Sequence, residues 1–186
     1  MDLRQVNQAV VVDKFPLPDI QELFSELRGA TVFSTLDLNS AYHQLLLAEE
    51  SRDLTAFITP EGLFRFKRVC FGLASAPTAF QKLMSTVLAG LPGVQCYLDD
   101  VVCYGRTQEE HDRHLNAVLQ RLQDFGLTLN PSKCQFNLPS LRFLGHVVSG
   151  NGLQPDPSHV EAILHAPCPK DVPTLRSLLG LASYYA

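Results

Sequence analysis

Carboxylates set inside apolar runs are the first residues of this chain that could do chemistry. The stretch Val94-Gln95-Cys96-Tyr97-Leu98-Asp99-Asp100-Val101-Val102-Cys103-Tyr104-Gly105 is β-prone and carries two adjacent aspartates at its centre. Asp is disfavoured in strand interiors, and an ionised carboxylate is costly to bury unless a cation or several donors satisfy it. One reading is purely structural: Asp is a common turn residue, so Asp99-Asp100 can be the turn of a hairpin. A second acid bears on the choice, because Phe33-Ser34-Thr35-Leu36-Asp37-Leu38 is another β-prone run with Asp37 near its end. Two apolar strands that each bring carboxylate to one edge point to a site for a hard divalent cation.

The elements that must carry these acids follow from periodicity. Thr31 to Leu38 reads as a buried strand, being β-branched and aromatic with almost no charge. Before it, Ile20, Leu23, Phe24 and Leu27 form one face of a short helix stopped at Gly29. Leu54 to Thr59, the turn Pro60-Glu61-Gly62 and Leu63 to Arg68 read as a hairpin, one face packed and the other presenting Arg65, Lys67 and Arg68 to solvent or phosphate. Phe80, Leu83, Met84, Val87 and Leu88 mark a helix near Ser75–Ala89, with Ser75 as N-cap and Pro77 in the first turn. A longer helix runs from Thr107 to Phe125, with a capping box of Thr107 and Glu110 and an end at Gly126. Its His111 and His114 have no third ligand nearby in sequence, so zinc is not indicated. Leu141 to Val148, a turn at Ser149-Gly150-Asn151-Gly152 and Leu153 form another hairpin. Helical patterns follow from Asp156, and from Leu175 after a Pro-rich connector at Pro167 to Pro173, up to Tyr184-Tyr185.

Composition narrows the class. With 186 residues, 46% hydrophobic and 18% charged, the chain can bury one ordinary core and is too apolar to be disordered. No stretch approaches the roughly 20 uninterrupted apolar residues of a membrane span, and the first residues lack the pattern of a secretory signal. The five cysteines are scattered without a CxxC pair, which points to free thiols in an intracellular, reducing compartment, cytoplasm or nucleus. The net charge of −4 would by itself point away from nucleic acid.

The motifs say otherwise. Tyr97-Leu98-Asp99-Asp100 resembles the YxDD box of reverse transcriptases. Leu36-Asp37-Leu38 through Tyr42-His43-Gln44, Phe71-Gly72-Leu73 through Ala76-Pro77, and Phe143-Leu144-Gly145-His146 complete an ordered set similar to the RNA-directed DNA polymerase of Gypsy-type long-terminal-repeat retroelements. The resemblance runs essentially end to end. It implies an α+β fold: a polymerase palm with a split-βαβ antiparallel sheet over residues 1–154, with residual fingers segments, then a connector and the beginning of a thumb over 155–186. Asp37 and Asp99 then lie on adjacent strands.

What the family implies for single residues is equally specific. Two Mg²⁺ ions, for which Mn²⁺ can substitute, would be held by Asp37 and Asp99, with the Leu38 carbonyl and Asp100 as further ligands; strand alternation would turn Asp100 partly away to tune the site, unless the turn brings it round. Tyr42 would be the gate against a ribose 2′-hydroxyl, and Phe71 and Gly72 would pack on the incoming nucleotide. Lys133, in the family motif matched by Leu127 to Cys134, would protonate the leaving pyrophosphate. Arg4 and Asn7 would lie against the template, and Tyr97, Leu144 and Gly145 against the primer end. The implied partners are an RNA or DNA template with primer and deoxynucleoside triphosphates, with no membrane. Ribonuclease H and integrase accompany the polymerase in family polyproteins and match no residues here. Family fingers precede the match to Asp2–Asn7 and the thumb continues past Ala186, so this chain alone is expected to extend primers poorly. A catalytically inactive or domesticated palm that binds nucleic acid or protein would share every motif.

Overall fold

A computed structural model describes residues 2–184, apart from the side chain of Ala162. Met1, Tyr185 and Ala186, and with them the end of the last expected helix, lie outside the described residues. The elements that position the site are β1 (Val32–Asp37), α3 (Ala76–Val87), β4 (Val94–Tyr97), β5 (Asp100–Gly105), α4 (Gln108–Asp124) and β6 (Gln135–Leu138), preceded by α1 (Arg4–Ala9) and α2 (Ile20–Glu26). These strands form one antiparallel sheet in the order β4-β5-β1-β6. With α3 and α4 as the crossovers, this is the expected split-βαβ arrangement.

Strand alternation divides the sheet between two apolar clusters. Leu36, Val101 and Cys103 face α3 and α4, meeting Phe80, Met84, Val87, Val118 and Leu122. Phe33 and Val102 face the other way, toward Leu23 of α2, Leu27 at its C-cap, and Leu141, Phe143 and Val148. The latter residues belong to a small sheet of β7 (Ser140–Phe143), β8 (His146–Ser149) and β9 (Gly152–Pro155). A sheet buried on both faces explains why β1 and β5 read as nearly continuous apolar runs.

Several sequence expectations change in detail. The segment Glu49–Thr55 is a 3-10 helix, so the outer hairpin shrinks to β2 (Phe57–Thr59) and β3 (Gly62–Phe64). Its basic face is largely spoken for: Arg65 pairs with Asp53, and Arg68 donates to the carbonyls of His43 and Gln44, which leaves Lys67 as the exposed lysine. Ser75 makes no side-chain cap, although Pro77 does sit in the first turn of α3. On α4, Thr107 accepts from the Glu110 amide as expected, but the Glu110 carboxylate reaches back to the Arg106 amide rather than to Thr107. The run from Leu141 to Val148 is two strands, because Leu144 and Gly145 both take positive φ and close a two-residue turn. Strand β6 was not anticipated. The final helices are α5 (Pro157–Leu164) and α6 (Val172–Ser183).

Candidate active site

The acidic hairpin is built by an unusual turn. Tyr97 and Asp100 pair across β4 and β5, so Leu98 and Asp99 are the two turn residues. Leu98 carries φ +53° and Asp99 does not share that sign, the pattern of a type II′ turn whose twist suits a tight hairpin. On the other side of β5, Asp100 pairs with Asp37 at the end of β1. Directly opposed residues share a face, so the Asp37 and Asp100 carboxylates stand together on the face that also carries Thr35 and Val102. Of the two orientations open to Asp100 in the sequence, the register sets it across from Asp37.

Asp99 leaves the strand and lies beside the Tyr42 hydroxyl, close enough for each group to shift the other's pKa. Burial, and then the neighbouring Asp99 and Asp37 charges, raise the Asp100 pKa above the usual carboxylate range. Asp99 is also raised, chiefly by burial and further by Asp37, against the lowering effect of the Tyr42 hydroxyl. Burial, and then the neighbouring Asp99 carboxylate, push the pKa of the Tyr42 hydroxyl upward. The carboxylates are therefore crowded beyond what their own surroundings neutralise. The cation recorded against them is Lys133, whose Nζ lies 3.8 Å from Asp37 Oδ2. Asp37, Asp100 and Lys133 line one cavity of about 110 Å³ with Arg142 and Phe143.

Aromatic side chains wall the Asp99 side. Tyr42 lies on a 3-10 turn, Ala41–Gln44, and meets the Phe71 ring edge-on at 5.1 Å and Phe80 of α3 at 5.8 Å. Phe71 also meets His43 at 5.0 Å and stays 54% exposed, free to face a ligand. The loop after it depends on Gly72 at φ +93°, a conformation that side chains resist. Asn7 holds this loop on both sides, donating to the Gly72 carbonyl and accepting from the Ala74 amide, each at 2.8 Å.

Comparison with known proteins decides what this arrangement belongs to. The family model described as "Reverse transcriptase (RNA-dependent DNA polymerase)" matches residues 1–148. The chain belongs to the reverse transcriptases. It is 39% identical to the retrovirus-related Pol polyprotein from transposon gypsy and 37% identical to that from transposon 412, both of Drosophila melanogaster, with all of this chain covered. It spans 18% and 15% of those polyproteins. It is thus similar to the reverse transcriptase domain of Gypsy-type retrotransposon polyproteins. Among solved structures, foamy viral protease-reverse transcriptase in complex with double-stranded DNA superposes with TM-score 0.89 at 23% identity, covering 98% of this chain and 32% of that one. The same viral protein with an RNA/DNA hybrid gives TM-score 0.82 over 98% of this chain and 25% of that one. These likenesses carry the polymerase palm fold.

Within this reverse transcriptase, the remaining expected residues separate into two groups. Leu144 and Gly145 form the β7–β8 turn, and Tyr97 and Leu144 both pack against the cluster that holds Phe143. The Leu144 carbonyl accepts from the Tyr184 hydroxyl at 2.8 Å, which ties the end of α6 to this turn. Leu38 is buried beneath the site, and its bridge to Leu129 is made by flanking amides rather than by its own carbonyl. Arg4 stands apart, exposed and paired with Asp2. Among the described residues, no group of three or more His, Cys, Asp or Glu side chains converges at ligand distance.

Two residues at the site escaped sequence reasoning. Cys134 lies behind Asp37, its Sγ 3.4 Å from the Asp37 amide. Gln81 of α3, buried beneath the acidic hairpin, accepts from the Leu98 amide. The available clue was a lone amide on the otherwise apolar face containing Phe80, Met84 and Val87.

Proposed function

We propose that this chain is the core of a polymerase that adds deoxynucleotides to a primer 3′ end on an RNA or DNA template, by metal-assisted nucleotidyl transfer. The observation that carries this reading is the Asp37–Asp100 register with Asp99 one residue away beside Tyr42. Three carboxylates with raised or crowded charge form an all-oxygen donor set, which suits Mg²⁺, with Mn²⁺ as a substitute. Asp37, Asp99 and Asp100 would hold the ions. When bound, two such ions supply Lewis-acid stabilisation to the attacking and leaving oxygens of an in-line displacement.

The chain's own residues do the positioning. Phe71 and Tyr42 offer ring faces to the incoming nucleotide, and Tyr42, packed on Phe71 and Phe80, restricts the space at the sugar. Gly72 lets the loop backbone approach closely. Lys133, 3.8 Å from Asp37, balances charge there and would be the proton donor to the leaving group. Leu144 and Gly145, with Tyr97 behind them, support the primer end, and residues 155–186 begin the thumb. Orientation and charge stabilisation supply most of phosphoryl-type catalysis.

The test is primer extension with and without Mg²⁺, using the chain within its polyprotein context and an Asp99→Asn control. Extension that is metal-dependent and lost in Asp99→Asn supports the reading. Extension that survives Asp99→Asn would remove it.

A further inference from the structure

The turn that carries Asp99 does not use a residue suited to it. Left-handed backbone at the first position of a two-residue hairpin turn normally falls to Gly, Asn or Asp, because a larger side chain crowds its own backbone there. This chain has Leu98 at φ +53°. Both peptide groups of Leu98 are held from within the protein. Its N–H donates to Gln81 Oε1 at 2.6 Å, and its carbonyl accepts from the Cys96 thiol at 3.4 Å.

Gln81 closes the bracket, since its Nε2 donates to the Cys96 carbonyl at 3.3 Å and reaches Ser85 Oγ at 3.5 Å. The side chain is 1% exposed. A buried amide is unfavourable unless its donors and acceptor are all used, and here they are used on the hairpin and on α3 itself. The bonds span from a helix in the core to the turn residue directly before a carboxylate, so the helix sets where that carboxylate goes.

We propose that Gln81 is a positioning residue for Asp99: it holds Leu98 in the left-handed conformation and so aims the Asp99 carboxylate at Tyr42 and the Asp37 side of the site. The inference rests on the metal-dependent reading above. Groups that orient a metal ligand through a hydrogen bond commonly change affinity by about tenfold to a hundredfold when removed. Gln81→Met keeps the length and loses the hydrogen bonds to Leu98, Cys96 and Ser85. Leu98→Gly removes the steric reason for the bracket, because glycine adopts positive φ freely.

The experiment measures Mn²⁺ affinity by electron paramagnetic resonance, together with exchange of the residue 98 amide proton, in four forms: unmodified, Gln81→Met, Leu98→Gly and the double variant. Gln81→Met should weaken Mn²⁺ binding by about tenfold or more and speed amide exchange at residue 98, while the metal-free circular dichroism spectrum stays unchanged. In the double variant, Leu98→Gly should restore most of the lost affinity, a rescue that a merely space-filling Gln81 would not allow. Unmodified chain that binds Mn²⁺ together with Gln81→Met that binds equally would overturn the positioning role alone. Unmodified chain that binds no Mn²⁺ would remove the metal reading and this role with it. If Gln81→Met fails to fold, Gln81→Glu, which keeps the acceptor for the Leu98 amide, replaces it, and affinity falling as far as in Gln81→Ala would overturn the role.

Discussion

Asp37 and Asp100 are direct partners across β1 and β5, two carboxylates on one face with Lys133 3.8 Å from the first of them. Like charges placed opposite each other destabilise a strand pair, so metal-free protein holds this arrangement against its own electrostatics. Asp100→Asn should therefore stabilise the metal-free fold at pH 7, by roughly half a kcal/mol after solvent screening, while removing most of the melting shift produced by Mn²⁺. Asp37→Asn should act in the same two directions. A variant that loses stability in metal-free buffer and keeps the full Mn²⁺ shift would place the ion elsewhere.

The same crowding sets a pH dependence. Asp99 and Asp100 have folded pKa values raised above the unfolded value of 3.8, so between the unfolded and folded values the native state binds more protons than the unfolded state. Their contribution is thus fully present below 3.8 and is lost as pH rises through the folded values. Metal-free melting temperature compared between native chain and the Asp99→Asn, Asp100→Asn double variant isolates this contribution. The difference should turn against the native chain on raising pH from the acid side toward neutrality, and saturating Mg²⁺ should reverse it at neutral pH.

Tyr42 offers a prediction that separates its ring from its hydroxyl. Tyr42→Phe keeps the edge-on contacts with Phe71 and Phe80 and loses only the hydroxyl beside Asp99. Tyr42→Val also opens space beside the sugar position. In an active polyprotein context, ribonucleotide incorporation relative to deoxynucleotide should rise in Tyr42→Val and stay near the native ratio in Tyr42→Phe. An equal ratio in all three would return Tyr42 to a packing role.

How much of this was legible in the sequence depends on whether the cause was local. The strand ending in Asp37, the hairpin around Asp99 and Asp100 and the helices behind them announced themselves through apolar runs, periodicity and Gly126. The turn at Leu144-Gly145 did not, because leucine is not a residue that signals positive φ, and the Tyr184 bond that accompanies it comes from 40 residues away. His111 misled in the opposite sense. It sits in a polar stretch of α4 yet is fully buried, bonded at 2.8 Å to Ser34 inside β1 and at 3.0 Å to Asp112. A Ser-His-Asp series of this kind has no surface for a substrate, since Ser34 is sealed within the sheet. Its role is to fasten α4 to β1, and only the tertiary fold brings those residues together.

Asn7 gives a test of the loop that presents Phe71. Both its bonds go to backbone groups of that loop, and losing them should cost about 1 kcal/mol and let the loop open. Chymotrypsin cleavage after Phe71 should become faster in Asn7→Ala than in native chain, with cleavage after buried Phe80 unchanged. Equal rates after Phe71 would show that Leu3, whose side chain packs beside Gly72, suffices to hold the loop.

Two glycine substitutions should have opposite signs. A Cβ at Gly105 would meet the His111 amide nitrogen and lie 2.7 Å from the His111 Cα, in the backbone of α4. Gly105 does not have positive φ, so the constraint is space alone: the close approach that lets His111 reach Ser34 leaves no room for a methyl group. Backbone cannot swing aside as a flexible side chain can, and Gly105→Ala should cost about 1–3 kcal/mol or more through overpacking, with the His111–Ser34 bond stretched as α4 is pushed from the sheet. Gly180 lies inside α6 with nothing within 4 Å of the position a Cβ would take. Alanine there relieves the entropy cost of glycine in a helix, so Gly180→Ala should stabilise by roughly 0.5–1 kcal/mol. Urea denaturation of both variants checks the pair, and a Gly105→Ala midpoint equal to that of the native chain would mean that α4 does not sit on β5 as closely as the His111 contact requires.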